Sequence, residues 1–597
     1  MTADGLSAPA PSELATIAKS RSRKDMWGAA LVGAAQITLT IAWARQVTPD
    51  LQWLGGAIIE FFLTSYFAFC LLQWQWRFLT GLMLVTPALL LPPLAGMTKY
   101  QYLLDTAGFD DLFELPNLVR LYSIHGWLAA AAAVAVTGGL AFLYVRNLRR
   151  PPLGSLVLWL LPICFWGLVA LKLLLPPAMA AKLPSMPPLR DDHAVLPSPV
   201  LFGNWGAFLR SAVIYADRST TIARLRTSAK PDFGFLAGTL ENPERRNVYF
   251  IVLESFMDPA AISGAVYSQD PFSPLFRQWR ETSNLTVMSP VFGWRSADAE
   301  FEAYCGLPVT FEGAPVVFPQ LQPAEIDCLP RKLAKLGWQT ETHTISDPHI
   351  YNHGGSYPKL GFQQRYYLDS FTGDDFDAPG MPSAQQVFSA QLQHIDRLLA
   401  SGQPFLTAVF GTFNHVPYRL DKAKRPYVIT ENANNADLLA YINSVYYASR
   451  ATEDYIKAIL AKDASALIVA FGDHRPILLD MVAPVDYPGT RLTRQDTPLL
   501  IIDGPRGFVP LRGHVPMYSV PEIVSNVLTH GRYCQTHRCS FADDNIERPL
   551  PDILLVGDRA TGQIRNCPTS AADAQCRKAV DQANRYQAAL ATLLGNE

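Results

Sequence analysis

Charge is what this chain has least of. Asp, Glu, Lys and Arg make up 17% of its 597 residues, against about 25% in an average soluble protein. The scarcity does not mean disorder, because 49% of the residues are apolar and disordered chains are poor in apolar side chains and rich in charge. A basic surplus is also missing: 50 Lys and Arg stand against 52 Asp and Glu, a net charge of −2, which speaks against nucleic acid as the main partner. None of the eight cysteines forms a Cys-x-x-Cys pair, so a zinc ribbon has no support. No internal repeat or low-complexity tract is evident, and 46 prolines spread through the chain exclude collagen and coiled coil. The length allows about three to six domain-sized units.

The missing charge is concentrated at one end. A membrane-spanning helix needs about 20 mostly apolar residues. Five stretches within residues 1–175 qualify: Met26 to Ala44, Leu51 to Leu72, Phe78 to Met97, Ile124 to Val145 and Ser155 to Leu175. Glu60 in the second is expected to face a neighbouring helix or reach a surface, and Lys172 near the end of the fifth is expected to snorkel. Pro87, Pro92 and Pro93 predict a kink in the third. The first apolar run is long and lacks a small-residue cleavage site, so no cleaved leader is expected. Lys19, Arg21, Arg23 and Lys24 precede the first stretch, Arg77 follows the second, and Arg146, Arg149 and Arg150 follow the fourth. The third-to-fourth connection instead carries Asp105, Asp110, Asp111 and Glu114 against Lys99 and Arg120. This asymmetry predicts an N-terminus inside and, after five spans, everything beyond Leu175 outside. Cys70 and Cys164 lie in the spans, whereas Cys305 and Cys328, Cys534 and Cys539, and Cys567 and Cys576 form neighbouring couples. That usage suits an oxidising compartment, although pairing by proximity is one of about 15 connectivities open to six cysteines. The expected location is a bacterial inner membrane, multi-pass, with the soluble part in the periplasm.

Residues 176–246 are proline-rich and mixed, a juxtamembrane linker in which Val200 to Arg226 reads as one or two amphipathic helices. Trp205, Phe208, Leu209 and Ile214 would form their apolar faces, lying on lipid or packed against the soluble domain. Residues 247–548 read as a doubly wound α/β domain. Strand candidates Val248–Leu253, Gln339–Thr344, Phe405–Phe410, Ala466–Phe471 and Pro498–Ile502 alternate with helical patterns at Cys328–Leu336, Ala384–Ser401 and Ala436–Ala461. Such alternation predicts a mostly parallel sheet whose strand C-termini share one rim. Residues 549–597 form a disulfide-bearing extension, with a hairpin over Asp552–Arg565 and a closing helix over Ala571–Leu594.

Chemistry-bearing residues gather at that predicted rim. Glu254 follows the first strand directly, a position costly to bury unless the carboxylate is paired or binds a metal. Asp473 and His474 follow Ala466–Phe471, offering a hard oxygen and a borderline nitrogen to a divalent ion. Asn414 and His415 follow the third strand in the rim, and His343, His349 and His353 stand at or beyond the end of another. Each alone reads equally as a cap or a hydrogen-bonded turn residue; four strand ends delivering such groups to one rim favour a site. Ser296, in Gly293-Trp-Arg295-Ser296-Ala-Asp298-Ala-Glu300-Phe301, opens a helix pattern over Ala297–Tyr304. It reads either as a nucleophile at the positive end of a helix dipole or as a simple N-cap with Ala299 or Glu300 near the capping-box position.

In order along the chain, Asn247-Val-Tyr-Phe-Ile-Val-Leu-Glu254-Ser-Phe, Arg295-Ser296-Ala-Asp298-Ala-Glu300-Phe301, Asn414-His415-Val-Pro-Tyr418 and Gly472-Asp473-His474 resemble the lipoteichoic acid synthase-like branch of the alkaline phosphatase/sulfatase superfamily. The cysteines and general style are similar to Gram-negative phosphoglycerol transferases. The resemblance implies metal ligation by Glu254, Ser296, Asp473 and His474, with one divalent ion, Mn²⁺ first and Zn²⁺ or Mg²⁺ as alternatives. It implies Ser296 as nucleophile, where relatives commonly have threonine, and His415 as a residue contacting substrate. His343, His353 and Arg295 are further substrate-binding candidates. Where relatives often carry an Asn-Arg pair, this chain reads Tyr351-Asn352-His353-Gly354. The implied activity is transfer of phosphoglycerol from phosphatidylglycerol, the phospholipid donor, to a periplasmic glycan acceptor through a seryl-phosphodiester. A phosphoethanolamine transferase using phosphatidylethanolamine is the alternative. A membrane-anchored sulfatase or phosphodiesterase, or a non-catalytic envelope assembly protein, ranks lower. The Cys/Ser-x-Pro-x-Arg pattern of formylglycine sulfatases is absent; Cys305-Gly-Leu-Pro308-Val309 does not fit it.

Overall fold

The computed structural model describes residues 11–595 except 48–53, 76, 104–107, 110–111, 113–122, 149–156, 184–197, 263–264, 294, 311–315, 372, 379–380, 412, 416–417, 432–433, 477, 479–483, 486–491, 494–495, 543–544, 551–553, 560–562 and 568–572. Asp105, Asp110, Asp111, Glu114, Arg120, Arg149 and Arg150, which bear on the predicted orientation, lie outside the described residues. The chain forms two compact units: Met1–Met186 with Leu196–Asp217, and Pro187–Val195 with Arg218–Glu597.

The first unit is helical: α1 (Pro11–Val47), α2 (Leu54–Leu72), α3 (Phe78–Leu103), α4 (Ser123–Arg146), α5 (Leu160–Leu174) and the first part of α6 (Ser198–Ser228). Three helical stretches are long and apolar enough to cross a membrane: Ser20–Ala42, Leu54–Leu72 and Val157–Leu174. Of the five expected spans, the third and fourth are represented by shorter apolar helices, Phe78–Leu90 and Ala135–Arg146. The α1–α2 contact is close, since a Cβ on Gly33 would stand 2.0 Å from Ser65 Oγ. Glu60 is buried and doubly satisfied: Oε1 accepts from Gln36 Nε2 at 2.9 Å and Oε2 from the Trp205 backbone N–H at 2.9 Å. The carboxylate therefore caps the part of α6 that restarts beyond Gly203, whose φ of +71° breaks that helix. Lys172 does not snorkel; it is buried in an ion pair with Asp217, because a lone ammonium there would lose its hydration without compensation.

The second unit is built on an eight-stranded sheet: β1 (Val248–Leu253), β2 (Leu285–Met288), β3 (Gln339–Thr344), β4 (Gln364–Tyr366), β5 (Phe405–Gly411), β6 (Leu467–Gly472), β7 (Asp496–Asp503) and β8 (Gly513–Pro516). The spatial order is β8-β2-β7-β6-β1-β5-β3-β4. β6, β1, β5, β3 and β4 are mutually parallel, as expected. β7, which contains the expected strand Pro498–Ile502, runs antiparallel to both β6 and β2. The short strands β2, β4 and β8 were not anticipated.

β1 is buried on both faces, which is why its sequence is apolar at every position rather than alternating. Val248, Phe250 and Val252 pack with Phe301, Tyr304 and Leu329, while Tyr249, Ile251 and Leu253 pack with Val387, Ile395 and Ile456. Each fully buried side chain of this kind contributes about 1.5–3 kcal/mol. The first face receives α8 (Ser296–Cys305) and α9 (Leu329–Lys335); the second receives α11 (Ala384–Ala400) and α12 (Ala436–Lys462), where α7 (Pro274–Ser283) and α10 (His353–Leu360) precede in the chain. Beyond α13 (Val520–Leu528), an antiparallel sheet joins Leu554–Asp558 to Ile564–Asn566, the expected hairpin, and α14 (Ala574–Leu593) closes the unit. The cysteines pair by proximity: Cys305–Cys328, Cys534–Cys539 and Cys567–Cys576.

Candidate metal and nucleophile site

Parallel register brings Leu253, Gly411 and Gly472 abreast at the C-terminal ends of β1, β5 and β6. The residues that follow therefore leave the sheet at one rim. Gly472 is required there, because a Cβ would stand 2.1 Å from the Phe256 carbonyl oxygen. Ser255 takes φ +49°, turning the chain so sharply that Glu254 and Asp473 face each other.

Asp473 Oδ1 accepts the backbone N–H groups of Ser255 at 2.8 Å and His474 at 2.7 Å. Its Oδ2 is buried and has no hydrogen-bond partner among the described residues. Glu254 Oε1 accepts from Ser255 Oγ at 2.7 Å. His474 Nδ1 lies 3.0 Å from the Arg475 carbonyl oxygen; a carbonyl only accepts, so Nδ1 carries the proton and Nε2 presents its lone pair. That lone pair faces Asp473 Oδ2 at 3.4 Å, Glu254 Oε1 at 3.5 Å and Ser296 Oγ at 3.4 Å. The two carboxylate oxygens and the imidazole lone pair are acceptors that the single Ser296 proton cannot all satisfy, and they repel one another unless a further proton or a cation lies among them. Donor atoms bound tetrahedrally at about 2.0–2.1 Å lie about 3.3–3.4 Å apart, so the residues present fit a divalent ion. Burial, and then the neighbouring Asp473 charge, pushes the Glu254 carboxyl above its ordinary value, the behaviour of a carboxylate pair that needs a cation to stay ionised.

Ser296 is the first residue of α8, and its Oγ lies 3.4 Å from Glu254 Oε2. The capping alternative fails: Arg295 occupies the N-cap position, at φ +67°, and makes no side-chain cap. Arg295 pairs with Asp298 at 2.6 Å. α8 is fixed from below by Glu302, which accepts from Arg548 Nη1 at 2.8 and 3.0 Å and from the Val309 N–H at 2.8 Å. Its last residue is held by the Cys305–Cys328 disulfide.

His415 is half-buried on the segment leaving β5 at this rim. Its neighbour Asn414 is buried; Oδ1 accepts from Ser444 Oγ at 2.6 Å, and Nδ2 has no partner among the described residues. Two expected substrate-binding residues have other partners. His353 Nε2 lies 3.3 Å from Glu300 Oε1, beside Tyr357, whose hydroxyl donates to Glu300 Oε2 at 2.8 Å. His343 lies on the face of β3, with Glu341 and His394. Asn414 was placed at the rim from its strand, whereas Ser255 and the Glu341–His394 pairing escaped sequence reading. Only Ser255 had a local signal, its place beside a strand-end carboxylate.

Residues 246–507 match the Sulfatase family model. A protein from Rhizobium meliloti (strain 1021) named "Putative cyclic beta-1,2-glucan modification protein" is 23% identical over 252 residues, covering 40% of this chain and 37% of that relative. The chain thus spans well under half the length of the curated relative it matches. Among solved structures, the lipoteichoic acid synthase LtaP from Listeria monocytogenes is similar at 17% identity and TM-score 0.46, covering 63% of this chain and 98% of that one. The phosphoglycerol transferase GacH of Streptococcus pyogenes, in complex with sn-glycerol-1-phosphate, is similar at 15% identity and TM-score 0.42, covering 68% and 94%. The C-terminal periplasmic domain of EptC from Escherichia coli is similar at 14% identity and TM-score 0.36, covering 56% and 97%.

Proposed function

We propose, from the match of residues 246–507 to the Sulfatase family model, that this protein is a metal-dependent transferase. It moves the phosphoglycerol headgroup of phosphatidylglycerol to a hydroxyl of a periplasmic glycan. The observation that carries the reading is a serine oxygen 3.4 Å from both a carboxylate and an imidazole of a cation-ready cluster. Glu254, Asp473, His474 and Ser296 would hold one divalent ion, which lowers the pKa of the serine hydroxyl and offsets phosphoryl charge. Ser296 Oγ forms a bond to phosphorus while the bond to the diacylglycerol oxygen breaks, and that oxygen takes up a proton. An acceptor hydroxyl then forms the new phosphodiester, the bond to Ser296 breaks, and the serine regains its proton. His415 serves as acid/base or headgroup anchor, and the unpartnered Asn414 Nδ2 is available to a phosphoryl oxygen.

Sulfate-ester hydrolysis through formylglycine is disfavoured, since the residues two and four after Ser296 are Asp298 and Glu300 rather than proline and arginine. The glycan acceptor agrees with the glucan-modification name of the Rhizobium relative. The proposed organisation is a five-span membrane domain over residues 1–175, a linker over 176–246, the catalytic domain over 247–548 and the extension over 549–597. The N-terminus is inside and the catalytic domain periplasmic. Tethering confines the site to the bilayer surface and raises its effective donor concentration. The test is turnover of phosphatidylglycerol labelled in the headgroup by the purified full chain. Diacylglycerol release with label on an added glucan supports the reading; labelled phosphatidylethanolamine consumed in its place contradicts the donor.

A further inference from the structure

A second group of potential ligands lies away from the rim. Glu341 and His343 are two residues apart on β3, hence on one face of the sheet. His394 comes down onto that face from α11. One ligand atom from each of the three lies within 4.8 Å of the other two. Register puts His343 level with Val409 of β5 and Ile251 of β1. The cluster is therefore two strands across and three residues back from Glu254, on the order of 14 Å away at about 4.8 Å per strand and 3.3 Å per residue.

Glu341 and His343 are buried, at 5% and 2% exposure. His343 Nε2 lies 2.8 Å from Glu341 Oε1, and Thr407 Oγ1 donates to the same oxygen at 3.2 Å. Thr407 is itself held by Gln391 Nε2 at 2.6 Å. The rings of Tyr366 and His394 each approach His343 at a centroid distance of 4.4 Å, the first stacked and the second edge-on. His394 Nδ1 faces Arg397 Nη2 at 2.5 Å. A guanidinium only donates, so Nδ1 of His394 holds a lone pair rather than a proton. Among the described residues, the cation facing that lone pair is Arg397, whose end of the interaction is exposed.

We propose that Glu341, His343 and His394 form a second divalent-metal site, of the kind that takes Zn²⁺, clamping β3 to α11. Two imidazoles and one carboxylate are a borderline donor set that selects Zn²⁺ over Mg²⁺ or Ca²⁺. The separations, from 2.8 Å to within 4.8 Å, bracket the roughly 3.3 Å between donors around a tetrahedral ion, so changes in separation of at most about 1.5 Å bring the three donors to ligand spacing and leave a fourth position for water. Binding requires His343 to carry its proton on Nδ1 and Arg397 to swing away from His394. Arg397 thus competes with the metal for one lone pair. A plain buried His–Glu hydrogen bond inside an aromatic cluster is the rival arrangement, and it makes no use of this competition.

The experiment counts Zn²⁺ on the full chain in detergent. The protein is stripped with a chelator, reloaded with Zn²⁺ alone, desalted and analysed by mass spectrometry for metal per chain. Substitution at Glu341 or His343 risks the core, so the partly exposed His394 is the variant of choice, with far-UV circular dichroism and melting confirming the fold. Wild type is expected to hold two equivalents, His394→Asn one, Glu254→Gln one and the double variant none. Arg397→Gln, which removes the competing guanidinium and no ligand, is expected to tighten the His394-dependent equivalent at least threefold against a competing zinc chelator. An unchanged metal count in His394→Asn overturns the proposal, whatever the count at Glu254. So does an Arg397→Gln protein that binds zinc no more tightly than wild type.

Discussion

The two carboxylate–imidazole clusters share a sheet, and they differ in what surrounds the ligands. At the rim, Glu254, Asp473 and His474 come from two strand ends, and a hydroxyl on a separate helix reaches Glu254 and His474 at 3.4 Å. On the face of β3, Glu341, His343 and His394 are walled by Tyr366, Thr407 and Gln391, and the Thr407 hydroxyl is engaged by Gln391 and Glu341. The rim imidazole is oriented by a backbone carbonyl, a fixed partner that leaves Nε2 open. The face imidazole of His394 is opposed by an exposed guanidinium. The rim hydroxyl comes from a helix start, whereas the hydroxyl on the face comes from the interior of β5, where Thr407 is held by Gln391. Under the two proposals above, the same ligand types support chemistry in one place and fastening in the other.

That contrast can be broken most severely at Ser296. Ser296→Ala is expected to lower headgroup transfer about a thousandfold or more while the melting temperature stays within a degree or two, checked by lipid turnover and calorimetry. An active variant would make the rim cluster another fastening. The next effect concerns how the serine is held. Arg548→Ala leaves Glu302 buried without its partner and is expected to cost about 3–5 kcal/mol, read by denaturant melts; a loss under 1 kcal/mol would mean α8 does not depend on that anchor.

A buried carboxylate with no imidazole beside it supplies a control. Glu522 accepts from the N–H and Oγ of Ser540, and burial raises it from 4.5 to about 7. Between those values the folded protein binds more protons than the unfolded one, so this group's contribution to stability is lost as pH rises from about 5 to 7, by about 2 kcal/mol. Glu522→Gln should flatten that slope in pH-dependent melts, and an unchanged slope would assign it to other groups. The smallest expected effect is at Ser255, whose hydroxyl donates to Glu254 Oε1 at 2.7 Å. Ser255→Ala should weaken metal binding at the rim about tenfold, measured by competition with a chelator, and leave the His394-dependent equivalent untouched.

The central strands were legible because burial on both faces writes them as unbroken apolar runs, as in Val248–Leu253 and Phe405–Gly411. β4 and β8 were not, since Gln-Arg-Tyr and Gly-His-Val-Pro are edge strands whose polar, glycine and proline residues carry no period. Glu254, Asp473 and His474 could be read because each directly follows a recognisable strand and the strands converge. His343 was placed by the same logic at the rim, yet its side chain turns to the sheet face one residue before the strand ends. His394 gave no signal at all: on an amphipathic helix it reads as one more polar position, and only the packing of α11 onto β3 makes it a partner for Glu341. Ser296 was ambiguous for a different reason, because a cap and a nucleophile occupy the same place at a helix start, and only the backbone of Arg295 separates them.

The most direct measurement is mass spectrometry of the intact full chain and its Ser296 peptide after brief exposure to phosphatidylglycerol without acceptor. One phosphoglycerol group is expected on Ser296, lost on adding glucan and never formed in Ser296→Ala. Diacylglycerol release without that adduct, or an adduct on another residue that persists in Ser296→Ala, would contradict it.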